Sequence, residues 1–483
     1  MHRKRFYATQ LMKLGFQAVL YLSLFAAFFG ILSIANAPLL RFSRTAAATM
    51  ATFACAMAML TAVYGGFDIE SRRMAPVMAN LALTTMFTDL ITYFILQIMN
   101  TNPNNPEANA TFELFSESLV LAGAAFVVQV CLIFVITVLA FRCYYRINPP
   151  EKSCIVTSSQ ALADHVAAKI ATYGRKYRLL EVVRYDCPDI QETILRQDVI
   201  FMAGVPDTEE AALQHFCYQN RKSIYLLAEL EDVVISTARS LVMEDTAFLR
   251  IQPAQPSLVQ RAAKRACDIL ISLFGLIISS PVLLVTYLLL KASGNGSPLF
   301  RQKRATINGK VFEILKFRTM YADSVNRSAS VNDDRITPIG RVLRKYRIDE
   351  LPQLINVLRG DMSLVGPRPE MLENVSRYTA EVPEFVYRQQ MKAGITGLAQ
   401  IEGKYNTSPK DKAILDLLYI ENFSLVYDFK LMLRTLTIFF RRDSTEGFHD
   451  RKTSCPTMRT AALQAEEAPN DEATGTSANA AAL

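Results

Sequence analysis

Four long apolar runs occupy the first third of the chain, at residues 15–39, 45–67, 75–99 and 118–141. Each run is long enough for an α-helix that crosses about 30 Å of hydrocarbon. The first run has charged flanks but no small-residue cleavage pattern, and three more runs follow it. We therefore interpret it as a membrane helix and not as a removable signal. The pattern predicts a four-helix transmembrane bundle over residues 1–145.

The distribution of lysine and arginine predicts the orientation of this bundle, because cytoplasmic loops are enriched in both. Basic residues that mark the cytoplasmic side stand at positions 3, 4, 5, 13, 72, 73, 142 and 146. The loop 100–117 has no lysine or arginine and should lie outside, whereas Arg41 and Arg44 conflict slightly with the rule. We expect four crossings with both ends in the cytoplasm.

Asp89 is the clearest ionisable residue inside a predicted span. Such residues often mark a transport path, so a transporter-like membrane protein is one alternative. A single acid among four helices gives that alternative little support, and a role in helix packing or at the interface is favoured. We interpret the bundle as an anchor or a dimerisation module, which allows a homodimer.

Between residues 146 and 252 the pattern changes to short β-branched runs that alternate with helical patterns. We predict strands at 154–157, 179–185, 198–202, 223–227 and 247–251, and helices at 159–173 and 207–220. This alternation is typical of a Rossmann-like parallel sheet with flanking helices. The first strand is followed by Thr157-Ser158-Ser159-Gln160 and not by a glycine-rich dinucleotide fingerprint. We therefore expect no nucleotide cofactor here, and a regulatory or oligomerisation role is the default.

The apolar run 268–290 resembles a fifth crossing, but Ser279-Ser280-Pro281 lies near its middle. Proline removes a helical hydrogen bond and kinks the chain. Basic residues flank the run on both sides, which favours two cytoplasmic ends. A bent helix that enters one leaflet and returns fits both observations. A straight crossing kinked by proline is the alternative that these residues leave open.

Two extended segments, 298–306 and 311–319, bracket Asn308-Gly309, which is a strong signal for a β-hairpin. Alternation in the second segment places Lys316 and Arg318 on one strand face. These two cations are either solvated surface charges or ligands for an anion. Further along, residues 376–392 mix aromatic and basic side chains, which suits either a helix at the bilayer surface or the edge of a core.

The richest chemistry surrounds the adjacent acids Asp349 and Glu350. Four cations precede them, namely Arg341, Arg344, Lys345 and Arg347. Pro352 suits the first position of a helix, which would place both acids at a helix N-terminus that also attracts phosphate. Lys345 and Asp349 have i,i+4 spacing, and such neighbours lower the pKa of a carboxyl group. An ionised aspartate at such a site is a reasonable nucleophile, although an isolated acid pair would usually be a solvated helix start.

Five ordered motifs resemble the signature of the bacterial sugar transferases, or polyprenyl-phosphate glycosylphosphotransferases. They are Lys-Phe-Arg at 316–318, Asp-Glu-Leu-Pro-Gln at 349–353, Asn-Val at 356–357, Gly-Asp-Met-Ser-Leu-Val-Gly-Pro-Arg-Pro-Glu at 360–370 and Gly-Ile-Thr-Gly-Leu-Ala-Gln at 394–400. The resemblance implies a mostly α-helical phosphoglycosyl transferase domain over 258–442, held by a re-entrant helix at 268–290 with its break at Ser280 and Pro281. The four preceding helices resemble the long form of this monotopic superfamily, as in undecaprenyl-phosphate hexose phosphotransferases of exopolysaccharide synthesis.

The resemblance also implies a mechanism. Asp349 would attack the sugar-linked phosphate of a nucleoside diphosphate sugar, and a polyprenyl phosphate would then take the phosphosugar from the enzyme. Glu350 would orient or assist, and Mg²⁺ would bind near Asp349. The implied phosphate ligands are Lys316, Arg318, Arg344 and Arg368. Arg347 departs from the small polar residue that relatives often carry two positions before the acid pair. A non-catalytic membrane regulator is an alternative, but the intact acid pair argues against it.

Composition agrees with a membrane enzyme. The 483 residues are 51% hydrophobic, with a net charge of +7 and a mean hydropathy of +0.17. The positive charge suits an anionic membrane face or phosphorylated substrates, and we find no nucleic-acid motif. The eight cysteines and four histidines are scattered, which predicts neither disulfides nor a histidine-based metal site. We expect a bacterial inner-membrane protein with a cytoplasmic catalytic domain and a disordered tail at 455–483.

Overall fold

A computed structural model gives the fold in atomic detail. The chain begins with long apolar helices. The structure describes residues 2–36, 39, 41, 43–70, 72–99, 117–252, 256–294, 296–321, 334–403, 407–435, 456, 458 and 459. Most of the loop 100–117 and of the tail 455–483, for which we made predictions, lies outside these residues. The chain forms two compact units. The first unit comprises Met1–Gln17, Ile136–Leu227 and Asp450–Leu483, and the second comprises Ala18–Val135 and Ala228–His449.

The four apolar runs at the N-terminus form four long helices, as predicted. These are α1 (His2–Leu32), α2 (Arg44–Tyr64), α3 (Met74–Met99) and α4 (Glu117–Ile147). Together with Leu258–Ala292 they make five helices in the described part that are long and apolar enough to cross a membrane. Ser43 begins α2 by accepting a hydrogen bond from the backbone N–H of Ala46 at 3.0 Å. The protein is therefore mostly helical and has the helices of a membrane protein.

Asp89 lies in a helix–helix contact of the second unit. It is 6% exposed, and its Oδ1 accepts a hydrogen bond from Nε2 of Gln129 at 3.3 Å. The same Nε2 donates to the carbonyl of Leu24 at 3.0 Å. The amide of Gln129 thus joins α1, α3 and α4, and this contact supports the helix-packing interpretation of Asp89.

The first unit contains a four-stranded parallel sheet with strand order β2-β1-β3-β4. Its elements are β1 (Glu151–Thr157), α5 (Gln160–Ala171), β2 (Tyr177–Arg184), α6 (Ile190–Arg196), β3 (Val199–Ala203), α7 (Asp207–Gln219) and β4 (Ser223–Leu226). Successive residues of β1 are buried on both faces, Ile155 against one cluster and Val156 against the other. This confirms the parallel sheet with flanking helices that the alternating pattern predicts. From the tail, the backbone of Arg459 bridges to Val183 of β2.

The fifth strand predicted for this sheet belongs elsewhere. After α8 (Leu230–Ser236), β5 (Arg239–Met243) and β6 (Thr246–Arg250) pair with each other as an antiparallel hairpin in the second unit. Only Glu244 and Asp245 separate them, and Glu244 has φ 56°. A two-residue connection permits only antiparallel pairing, because a parallel neighbour requires a long crossover. The prediction that 247–251 joins the parallel sheet is therefore wrong.

The remainder of the second unit surrounds one core that contains Val357, Met362, Tyr419 and Leu431. Its helices are α9 (Leu258–Ala292), α10 (Pro338–Lys345), α11 (Gln353–Arg359), α12 (Leu372–Glu381), α13 (Leu398–Glu402), α14 (Pro409–Glu421) and α15 (Leu425–Thr435). Its strands are β7 (Leu299–Ala305), β8 (Val311–Phe317), β9 (Ser363–Val365) and β10 (Gly394–Thr396). Short 3₁₀ turns span Ile307–Gly309, Ile348–Glu350 and Pro383–Gln390.

The hairpin predicted around Asn308-Gly309 is confirmed, since β7 and β8 pair antiparallel. Both turn residues have positive φ, 54° for Asn308 and 71° for Gly309. The segment 376–392 does not form a single helix, because α12 ends at Glu381 and a 3₁₀ run follows. Phe385 is fully buried in that run, so this part of the chain belongs to the core.

Helix α9 is continuous through Pro281. The hydroxyl of Ser279 donates to the carbonyl of Gly275 at 2.7 Å, and the hydroxyl of Ser280 donates to that of Ile277 at 2.7 Å. Serine bonds of this kind often accompany a bend in a helix. The helix has no interruption at Ser280 and Pro281, and its predicted re-entrant course stays a prediction.

Candidate active site

Asn356 fixes the strand that carries Lys316. Its side-chain oxygen accepts a hydrogen bond from the backbone N–H of Leu315 at 2.9 Å, and its amide nitrogen donates to the carbonyl of Glu313 at 2.8 Å. Asn356 is fully buried in α11 and bonds to β8 as a neighbouring strand would. This arrangement explains why an asparagine follows the acid pair, and it brings Lys316 beside that pair.

Asp349 and Glu350 occupy the 3₁₀ turn between α10 and α11. Helix α11 begins at Gln353 with Pro352 as its cap residue, so the acids precede the helix instead of starting it. Helix α10 ends at Lys345, and Arg347 has φ 51°. The predicted i,i+4 pair between Lys345 and Asp349 is therefore wrong, because the two residues do not share a helix.

Three cations surround Glu350. Its Oε1 lies 3.3 Å from Nζ of Lys316 and 3.7 Å from Nη2 of Arg368, and its Oε2 lies 3.4 Å from Nη1 of Arg347. Burial by itself raises the pKa of a carboxyl group, but these cations outweigh it and lower the pKa of Glu350 to about 2. Arg347, which sequence analysis named among the preceding cations and as a departure from the family pattern but not as a site residue, is thus part of the site.

Asp349 has the opposite shift. Burial and then the charge of Glu350 raise its pKa to about 6, against the attraction of Lys316 and Arg344. The expectation of a lowered pKa for Asp349 is wrong, because desolvation outweighs the attraction of the cations. The carboxylate is still mostly ionised at neutral pH. Within the part of the chain that the structure describes, Asp349 forms no ion pair, so its charge is available to a ligand.

The other predicted phosphate ligands occupy different positions around the pair. Arg344 lies on α10, close enough to Asp349 to lower its pKa, and its Nε donates to the hydroxyl of Thr319 at 2.9 Å. Arg318 follows the end of β8 and lines a cavity beside the C-terminal end of α9. The structure therefore brings Lys316, Arg344 and Arg368 to the acid pair and assigns Arg318 to the neighbouring cavity.

A buried ionic network supports the turn that carries Arg368. Arg388 forms an ion pair with Asp416 at 2.7 Å, and Arg304 donates to the carbonyl of Pro369 at 3.1 Å. Lys412 and Glu370 complete the network at 3.7 Å. Sequence analysis missed these residues. The only signal was their position, because Arg388 lies just before the Gly-Ile-Thr-Gly motif and Glu370 ends the Gly-Pro-Arg-Pro-Glu motif.

The two glycine-containing motifs meet at β9 and β10, which pair in parallel. A Cβ atom on Gly394 would lie 2.1 Å from the backbone nitrogen of Gly366. Two atoms that are not bonded to each other cannot lie so close, so glycine is required for this approach. The contact anchors the start of the Pro367–Pro369 turn next to the acid pair.

Comparison with known proteins agrees with these motifs. Residues 259–442 match the family described as bacterial sugar transferase. Over 211 residues, the chain is 39% identical to a UDP-glucose:undecaprenyl-phosphate glucose-1-phosphate transferase of Caulobacter vibrioides, covering 41% of this chain and 78% of that protein. The chain belongs to the bacterial sugar transferase family.

Two further family members carry other sugars in their names. The chain is 40% identical over 187 residues to a UDP-N-acetylgalactosamine-undecaprenyl-phosphate N-acetylgalactosaminephosphotransferase of Aeromonas hydrophila, covering 38% of this chain and 44% of that protein. It is 36% identical over 215 residues to an undecaprenyl-phosphate galactose phosphotransferase of Salmonella typhimurium, covering 41% of this chain and 44% of that protein. The chain thus matches less than half the length of these two relatives.

In this sugar transferase, one carboxylate of the acid pair suits a magnesium ion. No group of three metal-binding side chains is present among the described residues. Mg²⁺ commonly binds through one or two carboxylates together with substrate phosphates, and it keeps several waters. Glu350 is neutralised by its three cations, whereas Asp349 has an ionised carboxylate that pairs with no cation among the described residues. Asp349 is therefore the one side chain of the pair that suits such an ion.

Proposed function

We propose that this family member is an enzyme that transfers a sugar 1-phosphate from a UDP-hexose to undecaprenyl phosphate. The product, a polyprenyl diphosphate sugar, would initiate an exopolysaccharide or an O-antigen-type polysaccharide. The observation that carries the proposal is the division of roles in the acid pair. Glu350 is held by Lys316, Arg347 and Arg368, while Asp349 is ionised near Lys316 and Arg344 and forms no ion pair with any residue that the structure describes.

In the first step, a carboxylate oxygen of Asp349 forms a bond to the sugar-linked phosphorus atom. The bond from that phosphorus to the bridging oxygen breaks, and the nucleoside monophosphate leaves with the bridging oxygen and its electron pair. In the second step, a phosphate oxygen of the polyprenyl phosphate attacks the same phosphorus and releases the carboxylate. Two displacements let two bulky substrates use one site in turn.

The cations of the site suit this chemistry. Phosphoryl transfer is catalysed mainly by positioning and by neutralising charge on the phosphoryl oxygens. Arg368 stands on a proline-flanked turn and can bind two phosphate oxygens at once. Its side chain is 44% exposed, compared with 15% for Glu350, so it can reach a substrate without leaving the carboxylate uncovered.

Mg²⁺ is the proposed cofactor, with Asp349 and the diphosphate of the substrate as its ligands. When bound, it would supply positive charge at the phosphoryl oxygens. The residues of the chain do the remaining work. Glu350 keeps Lys316 and Arg347 in place, and Arg344 approaches Asp349 from α10.

We further propose that α9 is re-entrant and that the catalytic domain lies on the cytoplasmic face of the bacterial inner membrane. Arg265 donates to the carbonyls of Val357 at 2.6 Å and Leu358 at 2.8 Å. Leu290 packs against Phe317 and Leu343. Over the stretch from Arg265 to Leu290 a straight helix is roughly 37 Å long, more than the hydrocarbon thickness of roughly 30 Å. Contacts at both ends with the same domain therefore favour a helix that returns to its starting side.

For the remaining parts of the chain we propose structural and regulatory roles. The four N-terminal helices serve as the membrane anchor, and the Rossmann-like domain over 146–252 has a regulatory or oligomerisation role. A homodimer formed through these parts is proposed as the assembly. Neither part offers the acid pair and cations that the transfer reaction requires.

The test is incubation with a UDP-hexose radiolabelled in its sugar. Wild type should acquire covalent label and release nucleoside monophosphate, whereas Asp349→Asn should do neither. Glu373→Gln, which changes an exposed acid of the same domain, is the matched control and should behave as wild type. Label on the Asp349→Asn variant would disprove its role as nucleophile. No label on any variant with a panel of nucleotide sugars would favour the non-catalytic regulator.

A further inference from the structure

A cavity of about 310 Å³ lies beside the C-terminal end of α9. It is lined by Leu290, Ser293, Gly296, Ser297, Pro298, Arg318, Met320, Thr337, Pro338 and Ile339. Most of this lining is apolar, and Arg318 is the one charged residue among the described residues that form it. Such a lining suits a hydrocarbon group attached to an anion. It does not suit a nucleotide sugar, which needs many polar partners.

The cavity lies at the end of a helix whose apolar side chains are exposed, as those of a membrane-embedded helix are. The apolar side chains of Leu284, Leu288 and Leu289 on the last turns of α9 are 59%, 53% and 53% exposed. In the most apolar 18-residue stretch of α9, only 11% of the residues are buried. A lipid chain lying along this helix would therefore meet the cavity where the helix ends at Ala292.

The cavity is also adjacent to the acid pair. Leu290 and Ile339 line it and belong to one apolar cluster with Ile348, the residue that precedes Asp349. A polar connection runs beside this cluster. Thr337 donates its backbone N–H to the carbonyl of Thr319 at 3.0 Å, and the hydroxyl of Thr319 accepts from Arg344 at 2.9 Å.

We propose that this cavity receives the isoprene units closest to the phosphate of the polyprenyl phosphate acceptor. Arg318 and Arg344, on either side of Thr319, would guide that phosphate from the cavity to Asp349. The volume is at the lower end of the range for ligand pockets, so only the first units would enter and the remaining chain would stay in the bilayer. The inference rests on the proposed function and names the part of the site that binds the lipid.

The test separates the two half-reactions. Ile339→Trp and Ser293→Trp fill the cavity from α10 and from the end of α9, and Leu270→Trp adds the same bulk to an exposed position in the first half of α9 that does not line the cavity. With UDP-hexose alone, all three variants should release one burst of nucleoside monophosphate. With undecaprenyl phosphate in detergent, the two cavity variants should show a KM for the acceptor raised about tenfold or more, because excluded apolar groups lose their burial energy. Leu270→Trp should keep the wild-type KM.

Several outcomes would overturn the inference. An unchanged acceptor KM in both cavity variants would show that the lipid binds elsewhere. A lost burst with an unchanged acceptor KM would assign the cavity to the nucleotide sugar. If Ile339→Trp fails to fold, Ser293→Trp decides, because its side chain is exposed at the end of the helix. Absence of a burst in wild type would instead refute the proposed function itself.

Discussion

Arg388 donates a hydrogen bond from its Nη2 to the backbone carbonyl of Arg368 at 2.8 Å. The same nitrogen lies 2.7 Å from Asp416, whose side chain is 1% exposed. A residue that no motif identified thus holds the turn from which Arg368 reaches Glu350. The position of Arg368 therefore depends on the buried ion pair between Arg388 and Asp416.

The first prediction tests this ion pair. Arg388→Met leaves Asp416 buried without its cation, which should lower the free energy of unfolding by about 3–5 kcal/mol. The double variant Arg388→Met/Asp416→Leu should recover most of that loss, because no unpaired charge remains. Urea unfolding in detergent measures both, with the exposed Arg377→Met as the control. Equal stability of Arg388→Met and the control would contradict the prediction.

The second prediction concerns Asn356. Asn356→Ala removes two hydrogen bonds to buried backbone groups of β8, at a cost of about 2–4 kcal/mol. Asn356→Asp keeps an acceptor for Leu315 but buries an unpaired carboxylate against the carbonyl of Glu313, so its loss should be larger. Because β8 carries Lys316, the rate of covalent labelling should fall in the same order. Labelling rates that do not follow the loss of stability would separate Asn356 from the positioning of Lys316.

The third prediction is a pH profile. In the proposed mechanism only ionised Asp349 attacks, and its pKa is raised to about 6 by burial and by Glu350. The single-turnover rate of covalent labelling should therefore fall as the pH drops through about 6. Glu350→Gln removes one raising cause, so the acid limb should move to lower pH while the maximal rate falls. An acid limb that moves to higher pH would refute this electrostatic description.

The fourth prediction uses stability as its measurement. The folded-state pKa of Asp349 is raised above its usual value, so its ionisation destabilises the fold as the pH rises through about 6. Asp349→Asn cannot ionise and should be more stable than wild type at pH 7.5, by about 1 kcal/mol or more. The difference should shrink as the pH falls below about 6 and vanish below about pH 3, where the carboxyl group of wild type is protonated in both the folded and the unfolded state. A variant less stable than wild type at pH 7.5 would show that the carboxylate gains more from its cations than burial costs it.

The fifth prediction concerns the course of α9. In a chain otherwise free of cysteine, Ala262→Cys and Arg301→Cys should react with an impermeant thiol reagent from the same side of the membrane. Glu117→Cys, at the predicted outer end of α4, should react from the opposite side. Labelling of positions 262 and 301 from different sides would establish a straight crossing in place of the re-entrant helix.

Much of the secondary structure could be predicted because local pattern decides it. The β7–β8 hairpin follows from Asn308-Gly309, since these residues accept the positive φ that the turn requires. Four of the five strands predicted between 154 and 251 form the parallel sheet. The fifth did not, because the periodicity of a strand does not specify its partner.

The sequence by itself determined the membrane helices, the hairpin and the acid pair, since apolar length, turn chemistry and motif order are local properties. Only the tertiary structure decided the direction in which the pKa of Asp349 is shifted. Its spacing from Lys345 predicted a lowered pKa, yet the turn at Arg347 separates the two residues and burial raises the pKa. Electrostatic energies depend on distance and desolvation in three dimensions, and neither is encoded in spacing along the chain. For the same reason, the support that Arg388 gives to Arg368 became visible only in the folded chain.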